Sequence, residues 1–183
     1  MYTYKFRLLF DDVEDFVRDY EILAEQTFKD FHDIILQSIS GLDMRELASF
    51  YVCDRRWEKA KEITLIDMDE DENLDKSIAY LPKYVMSEAI LSDFIDDPHQ
   101  RLIYEYDFLN IKTFYVELLK AFESDPEKAY PRCTFSSGEM PKLAENINPE
   151  LDDDTVEEND MDNDNEDYYN DEDFESLSSD IEI

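Results

Sequence analysis

Residues 102–108 read Leu-Ile-Tyr-Glu-Tyr-Asp-Phe, and residues 112–122 read Lys-Thr-Phe-Tyr-Val-Glu-Leu-Leu-Lys-Ala-Phe. Aromatic and β-branched residues are frequent in both stretches, which is typical of β-strands. Leu109, Asn110 and Ile111 lie between them and suffice for a turn, so we expect the two strands to pair as a hairpin.

Further strands are predicted at residues 2–10, 17–23, 47–53 and 62–68, and helices at 28–40 and 86–95. Phe28 and Phe31 fall on one apolar stripe of the first helix. Thr27 precedes that helix as an N-cap, and Gly41 stands where a C-terminal cap is expected. Residues 130–141 show no period and are predicted to be irregular. The sum is an α+β domain, a mostly antiparallel β-sheet with two helices packed on it.

The C-terminal end differs sharply in composition from the rest of the chain. Residues 151–183 hold sixteen of the 49 acidic residues and none of the 17 basic ones, so they carry half of the net charge of −32. A segment so dense in like charge cannot bury an apolar core. We therefore predict an α+β domain over residues 1–145 and a disordered acidic tail over residues 146–183.

The acidic tail also carries scattered apolar residues, among them Tyr168, Tyr169 and Phe174. Apolar points set among acids suit a segment that docks a few side chains on a basic, grooved partner. A purely solubilising arm is the simpler interpretation of the same composition. Both interpretations leave the folded domain as the source of any specific surface.

Composition excludes several classes of protein. Only Gly41 and Gly138 are glycines, which argues against phosphate loops and nucleotide-binding fingerprints. Cys53 and Cys133 stand in no paired motif and fit free thiols in a reducing cytoplasm. No apolar run approaches the roughly 20 residues that span a bilayer. The acidic surface should repel nucleic acid and anionic membranes and attract a basic protein partner, while the oligomeric state stays open.

Tyr104, Tyr106, Asp107 and Phe108 follow one another at the end of the first quoted stretch. They match the sharpest motif of the plasmid pRiA4b ORF-3-like family, which is Tyr-x-Tyr-Asp-Phe-Gly-Asp followed by a Trp and a His. The strand–strand–helix opening, the Tyr-Pro-Arg-Cys segment at 130–133 and the later Gly strengthen the resemblance. It covers roughly residues 1–142 and leaves the acidic tail outside.

The departures from the family pattern bear on function. Leu109 and Asn110 replace the Gly-Asp pair, and the Trp and His positions fall on Lys112 and Phe114. The resemblance therefore implies the fold, and the family has no settled biochemical function. Its members are often labelled resolvase-like passengers of insertion elements, so the resemblance implies that this chain is associated with a mobile element. A serine recombinase needs a Ser near the N-terminus, but no Ser precedes Ser38, so we reject that activity.

No set of residues in the sequence indicates a particular chemical reaction. Asp107, beside a predicted turn, is either a functional carboxylate or, by preference, an acid that binds its own turn. His32 and His99 are isolated, with no Cys, Asp or Glu at ligand spacing on the same face, so they indicate a zinc site only weakly. Cys133 with His99 would be a nucleophile and base only if the fold joined them, and an inert thiol is preferred. We predict no catalytic, cofactor or metal residue.

Two acidic stretches have the alternating spacing that opens a calcium-binding loop. The first begins at Asp67 but has Glu72 where the loop needs Gly, and its twelfth residue is Ile78. The second begins at Asp160 and also lacks the Gly and the bidentate Glu. Unspecific cation binding is the most that either sequence predicts.

Three hypotheses of function result. The first is a non-enzymatic protein-interaction module whose acidic tail binds a basic partner. The second is a DNA mimic that blocks a nucleic-acid-binding protein of a mobile element, and the third is an enzyme that uses Asp107, Cys133 or His99. The candidate interaction or family-motif residues are Tyr104, Tyr106, Asp107, Phe108, Pro131, Cys133, Gly138, Tyr168, Tyr169 and Phe174.

Overall fold

The computed structural model describes residues 1–10, 12–13, 15–66 and 81–140. These residues contain eight strands, one α-helix and one short 3₁₀ turn, and they belong to one compact unit. The strands are β1 Tyr2–Phe10, β2 Val17–Leu23, β3 Ala48–Cys53, β4 Lys59–Thr64, β5 Lys83–Val85, β6 Arg101–Tyr106, β7 Lys112–Glu123 and β8 Arg132–Ser137. The helix α1 spans Phe28–Ser38, and the 3₁₀ turn spans Leu91–Asp93.

The strands form one sheet in the order β5-β4-β3-β6-β7-β1-β2-β8. Every neighbouring pair is antiparallel except β4 and β5, which are parallel. The predicted hairpin is confirmed: β6 and β7 pair from Tyr106 and Lys112 outward and occupy the middle of the sheet. The mostly antiparallel sheet is confirmed with it.

The N-terminus of α1 lies where the sequence predicts it. The Thr27 side chain accepts a hydrogen bond from the Asp30 backbone, and the Asp30 carboxylate accepts one from the Thr27 backbone at 2.8 Å. This capping box satisfies two backbone donors that the first helical turn would otherwise leave unpaired. The predicted C-terminus is wrong, because Ile39 turns to an extended backbone and buries its side chain. Gly41, with φ +91°, therefore lies beyond the cap.

The second predicted helix, over residues 86–95, is absent. The backbone groups that it would need bind other elements instead. Ala89 accepts from Phe28, Met86 accepts from Lys29 and donates to Thr64, and only the 3₁₀ turn Leu91–Asp93 remains helical. The apolar residues of the segment are aligned because they cover the core beside α1, so their spacing imitates a helix.

The segment predicted to be irregular contains β8, which pairs with β2. Most of its residues are exposed or half-buried, so no apolar period marks it in the sequence. β4 also differs from its prediction, since it begins at Lys59 and ends at Thr64 rather than covering 62–68. The Lys59 and Lys61 ammonium groups lie over aromatic rings, which lets charged residues line this strand.

The core lies between α1 and one face of the sheet. Phe31 of the helix stacks between Phe6 and Phe50, with ring centroids 5.0 and 5.2 Å away. Tyr104 packs on Phe50 at 4.6 Å and is fully buried. The opposite face of the sheet, hereafter the open face, carries the polar side chains of the alternating strands. In the described ranges, no helix has the length and apolar composition needed to cross a membrane.

Several sequence predictions fall on residues outside the described ones. These are the acidic tail with Tyr168, Tyr169 and Phe174, and both calcium-like spacings.

Candidate interaction surface

The two tyrosines of the β6 motif are structural. The Tyr104 hydroxyl lies 2.9 Å from His32 Nδ1, and both side chains are buried. Burial lowers the pKa of His32 to about 4, so the imidazole is neutral at pH 7 and can accept this hydrogen bond. The Tyr106 hydroxyl donates to the Asp43 carbonyl at 2.8 Å and accepts from its amide. Tyr106 thereby holds the loop after α1 against the end of the hairpin.

Asp107 binds its own turn. It has φ +58°, and its Oδ1 accepts hydrogen bonds from the Leu109 and Asn110 amides, both at 3.1 Å. The Lys112 ammonium lies 3.7 Å from Oδ2. Burial disfavours the charged carboxylate, but the hydrogen bonds from Asn110 and Leu109 and the charge of Lys112 together outweigh it and lower the pKa of Asp107. The carboxylate therefore fixes the hairpin turn, as the preferred sequence interpretation has it.

The turn that Asp107 fixes presents apolar side chains to solvent. Phe108 is 39% exposed, Ile111 59% and Leu109 91%, and Met44 on the loop held by Tyr106 is 73% exposed. We call Phe108, Leu109 and Ile111, the three residues on the turn, the tip patch. Large apolar side chains grouped on a fixed turn are typical of a contact surface. Only Phe108 of this group was a candidate from sequence. Leu109 could also have been noticed from the sequence, because it replaces the Gly of the family motif.

The second group of motif residues lies in and beside β8, which pairs with β2. Pro131 follows a cis peptide bond, and the next residue, Arg132, donates from Nε to the Glu21 carboxylate at 2.9 Å. The Cys133 thiol donates to the Phe135 carbonyl at 3.3 Å. Gly138 has φ +71°, and a Cβ there would lie 2.9 Å from the Phe16 Cα, so no larger residue fits without movement.

Sequence reasoning missed Arg18, which completes this attachment. The side chain is 4% exposed, and its guanidinium donates to the carbonyls of Val17, Ser137 and Gly138. It also lies 4.2 Å above the Phe16 ring. In the sequence, a single Arg in a predicted strand looks like a surface residue. The role of Arg18 becomes visible only when β8 is known to pair with β2.

The two groups of motif residues do not meet. β7, β1 and β2 separate β6 from β8 in the sheet. His99 precedes β6 and Asp107 follows it, so they lie at opposite ends of that strand, and Cys133 lies on β8. The structure therefore does not assemble the nucleophile, base and carboxylate of the enzymatic hypothesis. Burial moreover raises the pKa of the Cys133 thiol, which disfavours the reactive thiolate.

Residues 3–174 match the family described as Plasmid pRiA4b ORF-3-like protein. The chain belongs to this family. The match confirms the resemblance drawn from Tyr104, Tyr106, Asp107 and Phe108. It also continues past residue 142, where we expected the resemblance to end.

One solved structure that resembles this pRiA4b ORF-3-like protein is the crystal structure of a protein of unknown function from Methanosarcina mazei. The two chains share 21% identity with a TM-score of 0.59, over 74% of this chain and 68% of the other. At that identity the likeness shows a shared fold. No curated protein matches the chain.

The open face of this family member carries several ion pairs. Asp19 accepts from Arg7 at 2.8 Å and lies 3.3 Å from the Lys5 ammonium, and Lys59 lies 2.6 Å from Glu105. These contacts run between strands and bring opposite charges together on one surface. Of the residues that the structure describes, no three His, Cys, Asp or Glu side chains converge as ligands for a metal ion.

Proposed function

We propose that this pRiA4b ORF-3-like protein is a non-enzymatic protein-interaction module that binds a basic partner. The tip patch supplies the specific apolar contact, and the acidic tail supplies long-range attraction. The observation that supports this best is Leu109, 91% exposed on a turn whose backbone the Asp107 carboxylate holds in place. An apolar side chain presented on a rigid turn loses little conformational freedom when a partner covers it.

The charge distribution supports the choice of a basic partner. Residues 151–183 carry half of the net charge of −32 and contain no Lys or Arg. Such a segment raises the association rate with a positively charged surface and suppresses encounters with acidic ones. The reducing cytoplasm is the compartment that we propose, since Cys53 and Cys133 are free thiols.

Mimicry of DNA is the second proposal, with a nucleic-acid-binding protein of a mobile element as its target. A mimic needs unpaired carboxylates at fixed, phosphate-like spacing. On the open face, Asp19, Glu21 and Glu105 are paired with Lys or Arg side chains instead. This pairing favours the interaction module over the mimic.

Three full-length proteins test the proposal by capture from a lysate of the source organism. They are the wild type, Leu109→Asp, and a variant in which the sixteen acids of residues 151–183 become Asn or Gln. We expect the wild type to capture a basic protein, Leu109→Asp to lose it at every salt concentration, and the neutralised-tail variant to bind it more weakly only at low salt. Unchanged capture by Leu109→Asp contradicts the module. Release of the partner by duplex DNA, with Leu109→Asp still binding, supports the mimic.

A further inference from the structure

The two edges of the sheet are built differently. β5 closes one edge with three residues, Lys83–Val85, and short edge strands are a common protection against unwanted strand pairing. β8 closes the other edge with six residues, Arg132–Ser137, and contains neither Lys nor Pro. It pairs with β2 on one side and, within the described ranges, with no strand on the other.

β8 is an exposed strand that is nevertheless firmly attached. Arg18 donates to the carbonyls of Ser137 and Gly138 at its end, and Arg132 at its start is paired with Glu21. Phe135, in the middle of the strand, is 49% exposed. Edge strands that carry no function are usually short, charged or covered. β8 has six residues and one charged side chain, Arg132, and no strand in the described ranges pairs with its outer edge.

We infer that β8 accepts an extended basic segment of the partner as a ninth strand of the sheet. Main-chain hydrogen bonds to the edge of β8 that pairs with no described strand would provide affinity without a preformed pocket. In the sequence, β8 is followed by the acidic segment, so a basic added strand is opposite in charge to the chain that it joins. The inference rests on the proposed function for the basic character of the partner, and adds where and how the partner binds.

A capped peptide of sequence Lys-Val-Lys-Val-Lys-Val is the probe, because it is basic and forms an extended strand. Its control has the same charge but carries N-methyl groups on alternate amides of the edge that would pair with the sheet. Amide hydrogen exchange is measured residue by residue on the full-length protein. We expect the unmodified peptide to protect amides of residues 132–137 and the methylated one to bind at least tenfold more weakly. β6, paired on both sides, is the internal reference and should not change.

Equal binding of the two peptides, or binding without protection in β8, overturns the inference. The neutralised-tail variant separates this outcome from failure of the proposed function. Protection of β8 in that variant at undiminished affinity contradicts steering by the tail but supports the ninth strand. Binding that depends on the tail and leaves β8 unprotected supports steering and overturns the ninth strand.

Discussion

β6 and β8 both carry residues of the family motifs, but they lie at the centre and at the edge of the same sheet. β6 has strand partners on both sides, and four of its six residues are buried. Among the described strands β8 pairs only with β2, and none of its residues is buried. The two motifs therefore have different physical roles. Burial of aromatic rings fixes the central strand, whereas hydrogen bonds, an ion pair and a close glycine contact fix the edge.

The parts of the two strands that stabilise the fold differ from the parts that could contact a partner. The central strand ends in a turn whose apolar side chains, the tip patch, contribute little to the core. The edge strand β8 pairs with β2 on one side, and no described strand pairs with its other side. Both candidate contact regions therefore lie where a well-packed element ends, which is where a rigid scaffold can display a binding surface.

Replacing Tyr104 with Ala should produce the largest effect. It removes a fully buried ring that packs on Phe50 and Phe114, so we expect a loss of roughly 3–5 kcal/mol in the free energy of unfolding. Tyr104→Phe is the control, because it removes only the hydrogen bond to His32 and should cost about 1 kcal/mol. Urea unfolding measures both. Equal losses for the two variants would mean that the hydroxyl, and not the ring, holds the centre of the sheet.

The pH dependence of stability tests the same buried pair. His32 has a pKa of about 4 in the folded protein and 6.5 when unperturbed. Above pH 6.5 both states are neutral and His32 adds no pH dependence. Between pH 6.5 and 4 only the unfolded chain binds the proton, so stability falls by up to about 3 kcal/mol. Urea midpoints at pH 7 and pH 5 should differ less in His32→Gln. A variant that keeps the whole slope would exclude His32 as its source.

A pair of glycine substitutions tests the attachment of the edge strand. Gly138→Ala places a Cβ 2.9 Å from the Phe16 Cα at φ +71°, so we expect a loss of roughly 2–3 kcal/mol. Gly41→Ala is the matched control, because Gly41 has φ +91° with open space around it and should lose only about 1 kcal/mol. Thermal unfolding of the two variants measures the difference. Indistinguishable losses would show that β8 is not closely packed on the Phe16 backbone.

The smallest expected effect on stability is that of Leu109→Asp. Leu109 is 91% exposed, so its substitution should change the free energy of unfolding by less than about 0.5 kcal/mol. Equilibrium unfolding checks this value, and Phe114→Asp in the buried part of β7 should fail to fold stably by comparison. A large loss at Leu109 would mean that the tip patch belongs to the core and is no contact surface.

The central part of the molecule could be predicted from sequence because its buried positions hold aromatic and other apolar residues. The aromatic β6–β7 hairpin and the Thr27 cap of α1 were predicted close to where the structure has them. The edge could not, since β8 buries none of its residues and is defined by backbone pairing with a distant segment. The helix predicted over residues 86–95 was wrong because backbone hydrogen bonds to other elements replace the helix that the apolar spacing favours.

The candidate surface divides in the same way. Asp107 could be recognised as a turn acid from its position after a strand. Leu109 was visible as a departure from the family pattern, although its exposure was not. Arg18 gave no signal, because two of its three acceptors are the carbonyls of Ser137 and Gly138, more than a hundred residues later in the chain.

Amide hydrogen exchange of the free, full-length protein tests the contrast between centre and edge most directly. Amides of β6 should exchange only through global unfolding. In β8 the amides that face β2 should be protected, and those that face away from β2 should exchange rapidly. Uniformly rapid exchange along β8 would mean that the strand is not held by Arg18 and Gly138, and uniform protection would mean that its outer edge is already covered.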